Sequence, residues 1–236
     1  GIERMLRGRA AGIPPSLLPM LQAAAVVGRY LDLPLLRDRV PTLDDLLPRA
    51  TDVGVLEVHE GRYRFVQEKL LSILREPLSR GDLLALHSWA AATMTRLYGM
   101  GDSHLAQIAE QHRSAEEWDA AASGFARAGE RAFVRGAPHA AVQLLSDAVV
   151  LHSQASRPLL EQLHVWRLLA HAQLGLGRLN EADRALRTVW RLADSYPATP
   201  RQLRRAMLRE LGRQLWHRVR RALGGTLAAK RDSEDF

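Results

Sequence analysis

The sequence has no cysteine, which excludes disulfides and thiolate metal sites of the zinc-finger type and fits a reducing, cytoplasmic setting. No stretch reaches the roughly 20 consecutive apolar residues that a membrane-spanning helix needs. The opening segment GIERMLRGRAAG has no apolar run followed by a small-residue cleavage site. Also missing is a glycine-rich loop running into Gly-Lys-Ser/Thr, without which backbone N–H groups and a lysine cannot converge on phosphates. Gly99-Met100-Gly101-Asp102-Ser103 comes nearest and, having no lysine, reads as a linker. The nine histidines show no His-Glu-x-x-His spacing, and no Gly-x-Ser-x-Gly nucleophile turn is present. No catalytic, cofactor-binding or metal-binding residue is assigned, and this chain is not expected to be an enzyme.

What is there is a folding composition: 236 residues, 47% hydrophobic and 25% charged. The net charge of +7 is local, because residues 201–236 hold ten Arg or Lys against four Asp or Glu and leave only +1 for the first 200. Basicity therefore describes the tail and does not make the whole chain a nucleic-acid binder.

Ser16 is placed to cap a helix from Leu17 to Val27, with Pro19 in its first turn and Gly28 ending it. The run LLPMLQAAAVVG is apolar almost all round, as in a helix buried on several sides. Asp32 and Pro34 open a short helix to about Val40, and Thr42 with Asp45 resembles a capping box for a third, to about Val53. The period then changes: Val55, Leu56 and Val58, a Glu60-Gly61-Arg62 turn, then Tyr63 and Phe65 predict two short strands. Three helices followed by a hairpin is the order of a winged-helix unit. Helical period returns from Gln67, breaks at Pro77 and restarts near Ser79, with Leu83, Leu86, Trp89, Ala90, Met94 and Leu97 along a long helix.

Past Gly101 the sequence repeats. Trp166, Leu169, Ala170, Gly177, Ala182 and Leu186 stand where a tetratricopeptide repeat places its large, large, small, Gly, Ala and large residues. Small residues let two antiparallel helices approach, and glycine supplies the left-handed turn between them. Phe125, Gly129, Gly136, Ala141, Leu145 and Ala148 fit the same frame 41 residues earlier, so the 152–158 loop is long against a repeat of roughly 34 residues. A weaker echo runs through Ala109, Trp118, Ala121, Phe125 and Ala128. The expected fold is mainly α. It comprises a winged-helix-like unit with connecting helices (1–100), an α-solenoid of tetratricopeptide-like helix hairpins (101–198), a basic amphipathic helix (199–224) and a disordered tail (225–236). The five tryptophans read as core residues.

In the repeat frame His164, Arg167 and His171 project from the first helix of a pair toward the groove, as partner-contacting positions. Leu203, Met207, Leu211 and Leu215 form one stripe of the basic helix and Arg205, Arg209, Arg213 and Arg220 a roughly opposite one. That arginine stripe reads as a solvated cap, a surface for an acidic partner, or a contact for RNA or anionic lipid. The third helix, with three Asp and one Arg, carries the wrong charge to read DNA.

On the segments LLPMLQAAAVVGRYLDLPLL, VGVLEVHEGRYRFVQEKLLSILREPL, LALHSWAAATM and RAGERAFVRGAPHAAVQLLSDAVVL, the chain resembles the region C-terminal to the nucleotide-binding core of bacterial STAND-type P-loop ATPases. In these the ATPase is followed by a winged helix and tetratricopeptide repeats, and members are often fused to Ser/Thr kinase, adenylate cyclase or LuxR-type DNA-binding domains. Gln67 departs from the family form, which has His there, and no catalytic role is carried onto it. The resemblance implies a regulatory module that binds protein partners through its repeats and packs on an NTPase domain, with ATP and Mg in that upstream domain and no cofactor here. A start in mid-pattern without Met fits a piece of a longer polypeptide. The alternatives are a nucleic-acid-associated regulator using residues 201–221 and an oligomerisation scaffold.

Overall fold

The computed structural model describes residues 2–99, 101 and 103–193. The chain divides into two compact units, Gly1–Ala185 and Leu186–Phe236. Of the second, residues 186–193 are described and continue a helix begun in the first. Among the described residues the fold is mainly helical, with eleven helices and one two-stranded antiparallel hairpin, and no helix is long and apolar enough to cross a membrane.

The first part begins with a helix that the sequence reading did not anticipate, α1 (Ile2–Ala11), which buries Leu6 and pairs Arg7 with Glu76 at 2.6 Å. Helix α2 (Leu18–Val27) is buried on several sides, through Met20, Leu21, Ala23, Ala24, Ala25 and Val26. Ser16 does not cap it, because the helix starts one residue later and the Ser16 hydroxyl accepts a hydrogen bond from Arg49 instead. Helix α3 (Leu33–Arg39) starts as expected, with the Asp32 carboxylate accepting from the Leu35 N–H at 3.1 Å. Thr42 precedes α4 (Leu43–Asp52) without a side-chain capping bond, so the expected capping box does not form.

Strands β1 (Leu56–His59) and β2 (Arg62–Phe65) pair with Leu56 opposite Phe65 and His59 opposite Arg62. Both turn residues, Glu60 and Gly61, have positive φ, 50° and 74°. That is the mirror-image turn whose twist suits a tight hairpin. A third chain segment joins this sheet: Tyr30 bridges Arg64, Leu31 N–H donates to the Tyr63 carbonyl and Phe65 N–H to that of Arg29. The core under the hairpin is built of large side chains, among them Leu21, Leu35, Leu36, Leu56, Phe65 and Leu70, all but fully buried.

Helix α5 (Lys69–Arg75) leads to α6 (Arg80–Tyr98), whose N-terminus is capped by Ser79, accepting from the Asp82 N–H at 3.1 Å. Helix α6 is buried at Leu86, Ala90, Ala91, Thr93 and Met94, whereas Leu97, expected on that face, is 39% exposed. Three of its polar ties converge on one carboxylate. Asp38 of α3 accepts from Trp89 Nε1 and Thr93 Oγ1, each at 3.2 Å, and pairs with Arg96. The Trp89 hydrogen bond, helped by those of Arg96 and Thr93, outweighs burial and holds the Asp38 carboxyl below the usual range.

From α6 onward each helix packs on the next: α7 (Leu105–Ser114), α8 (Trp118–Val134), α9 (Pro138–Leu151) and α10 (Leu159–Gly175), with α11 (Leu179–Leu192) following. This is a solenoid-like stack. Gly136 and Gly177 turn the chain between helices at φ of 72° and 71°. The small residues Ala121, Ala141, Ala148, Ala170 and Ala182 are buried. Trp89, Trp118 and Trp166 are partly buried against the cores, while Trp216 lies outside the described residues.

Candidate functional site

In a stack of this kind α8 and α10, separated in sequence by α9, come side by side. His164 Nε2 of α10 lies 3.3 Å from Glu130 Oε1 of α8, and His171 sits tilted beside the Phe133 ring, centroids 6.4 Å apart. Arg167 reaches back along α10 to His164, at 3.3 Å. The three positions singled out on α10 thus lie on one helix face, at spacings of three and four, and two of them meet α8.

Two recesses flank the Glu130–His164 contact. One, of about 260 Å³, has Ala126, Leu160 and Val165 among its walls, together with Arg127 and Glu130. The other, of about 410 Å³, is lined by Arg127, Glu130, Arg131 and Val134 of α8, at i, i+3, i+4 and i+7, and by Arg135 just past its end. Leu160 and Val134 are each 79% exposed. Large apolar side chains left in water next to guanidinium groups are the composition of an interface core and its charged rim. Arg157 pairs with Glu161 on the same side, so the two glutamates of the smaller recess meet an arginine and a histidine beside them.

Of the α10 positions that the repeat frame singled out, His164 lines the smaller recess, and Arg167 and His171 line neither. Sequence reasoning missed the α8 side and Leu160, because an α8–α10 neighbourhood is a property of the stacking. Arg205, Arg209, Arg213 and Arg220 lie outside the described residues.

A larger cleft, about 640 Å³, opens where residues 29–34 meet the hairpin turn, Tyr98 and His104. Its wall is held by internal bonds: Tyr98 donates to Asp32 Oδ1 at 2.5 Å and stacks on His104 at 4.3 Å, and Arg62 lies over the Tyr30 ring at 4.9 Å. Burial, with the Asp32 hydrogen bond adding, raises the Tyr98 phenol above its usual pKa, which keeps it a donor. Among the described residues no group of three or more His, Cys, Asp or Glu is placed to hold a metal ion. No protein-family model matches the sequence, and no curated protein or solved structure matches it.

Proposed function

We propose that the chain is a protein-interaction module that binds a partner along the α8/α10 groove. In this reading it is the regulatory part of a STAND-type signalling protein, with its winged-helix-like part packed on a nucleotide-hydrolysing domain of the same polypeptide. The observation that carries the first statement is the pair of exposed apolar side chains, Leu160 and Val134, flanking a groove of charged residues on two stacked helices. The second draws support from the order of elements, three helices and a hairpin before a helical stack. It also draws support from α4, whose exposed Asp44, Asp45 and Asp52 suit a protein surface and repel a phosphate backbone.

The test is a photo-crosslinking amino acid placed in turn at Leu160, at Val134 and, as an exposed control, at Val58 on the hairpin. Partner adducts are expected at the two groove positions and not at the control. Adducts of equal yield at all three positions, or at Val58 alone, would refute the groove as the binding face.

A further inference from the structure

From the open side of the hairpin sheet we infer a second binding face, independent of the α8/α10 groove. The edge formed by residues 28–32 takes an extended segment of a partner protein as an added antiparallel strand, with an acidic side chain on the residue that pairs with Tyr30.

The backbone comes first. Leu31 N–H donates to the Tyr63 carbonyl and Phe65 N–H to that of Arg29, so Arg29 and Leu31 turn main-chain groups toward β2. Tyr30, bridged to Arg64 between them, forms the pair without mutual hydrogen bonds, and its own N–H and C=O point the other way. Alternation places the Gly28 C=O and the Asp32 N–H on that same side. None of these four groups makes a hydrogen bond among the described residues. A row of unpaired strand groups is a template for another strand. Residues 27–34 all line the cleft of about 640 Å³ that Tyr98 and His104 also line, so the edge borders a recess.

Charge then selects the occupant. Arg29 and Arg62 line the cleft, are exposed, and have no side-chain hydrogen bond or ion pair among the described residues. Arg37 lines it too and is already paired with Asp44 at 2.9 Å. Among the described residues the one lining carboxylate is Asp32, which accepts from Tyr98 and from the Leu35 N–H through the same oxygen. Two open guanidinium groups therefore stand against one carboxylate that is itself hydrogen-bonded.

Register places the acid. Arg62 lies over the Tyr30 ring at 4.9 Å, whereas Arg64, at 6.0 Å from that ring, is held by Glu57 at 2.7 Å. Side chains directly opposite each other in an antiparallel pair emerge on the same face. The residue opposite Tyr30 thus emerges beside the Arg62 guanidinium, where a carboxylate gains a charge-assisted bond without displacing an existing ion pair. The position of the added strand that faces Asp32 disfavours a second acid.

The experiment uses the full 236-residue chain and a blocked nine-residue peptide, Ser-Thr-Val-Thr-Glu-Thr-Val-Thr-Ser, with versions carrying Gln or Lys in place of Glu. Amide hydrogen exchange read by NMR is expected to slow at Tyr30 and Asp32 when the Glu peptide binds, and to stay as it is at Leu31 and Phe65, whose N–H groups are already bonded. The Glu peptide is expected to bind about tenfold tighter than the Gln peptide at low salt and tighter still than the Lys peptide. That preference is expected to be lost in Arg62→Gln, which changes an exposed side chain. N-methylation of the central Glu removes the N–H that meets the Tyr30 carbonyl and is expected to abolish binding, while N-methylation of either neighbour, whose N–H points away, is tolerated. Unchanged exchange at Tyr30 and Asp32 with peptide at about millimolar concentration, equal binding of the Glu and Lys peptides, or full binding after N-methylation of the Glu overturns the inference. Exchange at these two amides that slows with protein concentration in the absence of peptide would assign the edge to a second copy of the chain and overturn it as well.

Discussion

The two hydrophobic clusters of the first unit are built on different principles. Around the hairpin, Leu, Met and Phe side chains from α1 to α6 fill one volume, and stability comes from large apolar groups removed from water. In the stack, the buried residues of the second cluster are half alanine, and stability comes from helix backbones brought close. Gly129 shows the limit of that approach. A Cβ built there would stand 2.7 Å from Leu145 Cγ and 3.1 Å from the Leu145 backbone nitrogen. Gly124 is the same device against Ala109, whose Cβ would be 2.8 Å away. One region suffers from losing atoms and the other from gaining them.

Removing atoms should give the largest effect. Leu36→Ala empties a fully buried site beneath the hairpin and is expected to cost about 3 kcal/mol in urea unfolding. A cost below about 1 kcal/mol would mean that this region repacks as a pliable core and would break the contrast. Adding a single methyl comes next. Gly129→Ala should destabilise by about 2 kcal/mol despite the better helix propensity of alanine, and a neutral or stabilising result would show that α8 and α9 can part at no cost.

The smallest effect sharpens the comparison through pH. His152, in the loop between α9 and α10, has a buried Nδ1 with no hydrogen-bond partner among the described residues. Burial first, and Arg157 second, lower its pKa from the usual value of about 6.5. The folded chain favours the neutral ring while the unfolded chain takes the proton. Its contribution is therefore fully present above about pH 6.5 and is lost as pH falls toward the lower folded value. The difference in stability between about pH 7.5 and about pH 5 should shrink in His152→Gln. An unchanged difference would place the acid sensitivity elsewhere. Asp38, held low by Trp89, Arg96 and Thr93, belongs to a more acidic window. Its contribution is present above the unfolded carboxylate value of about 3.9 and is lost below it.

Local signals with a backbone mechanism were legible in the sequence. The Ser79 and Asp32 caps, the Glu60-Gly61 turn and the left-handed Gly136 and Gly177 each act within a few residues of themselves. The failures share the opposite property. Ser16 had a tertiary competitor in Arg49, and the third sheet segment at 29–31 is recruited by β2. Leu97 follows the apolar period of α6 but stands in its last turn, where it is left partly in water. Helix α1 has Gly8 in its interior, and is held by Leu6 in the core and by Arg7 on Glu76. For the groove, His164, Arg167 and His171 could be placed on a helix from spacing alone. Their neighbours Glu130 and Phe133, some 34 and 38 residues earlier, become visible only when α9 has been folded between them.

Asp38 gathers donors from residues 89, 93 and 96 onto one carboxylate. Those three positions lie on one side of α6, so a slide of α6 by a single turn or a rotation of a quarter turn would sever all three ties together. The joint between α3 and α6 is therefore a latch with one engaged position. A shift of α3 must carry α6 with it as a rigid spoke or release it outright.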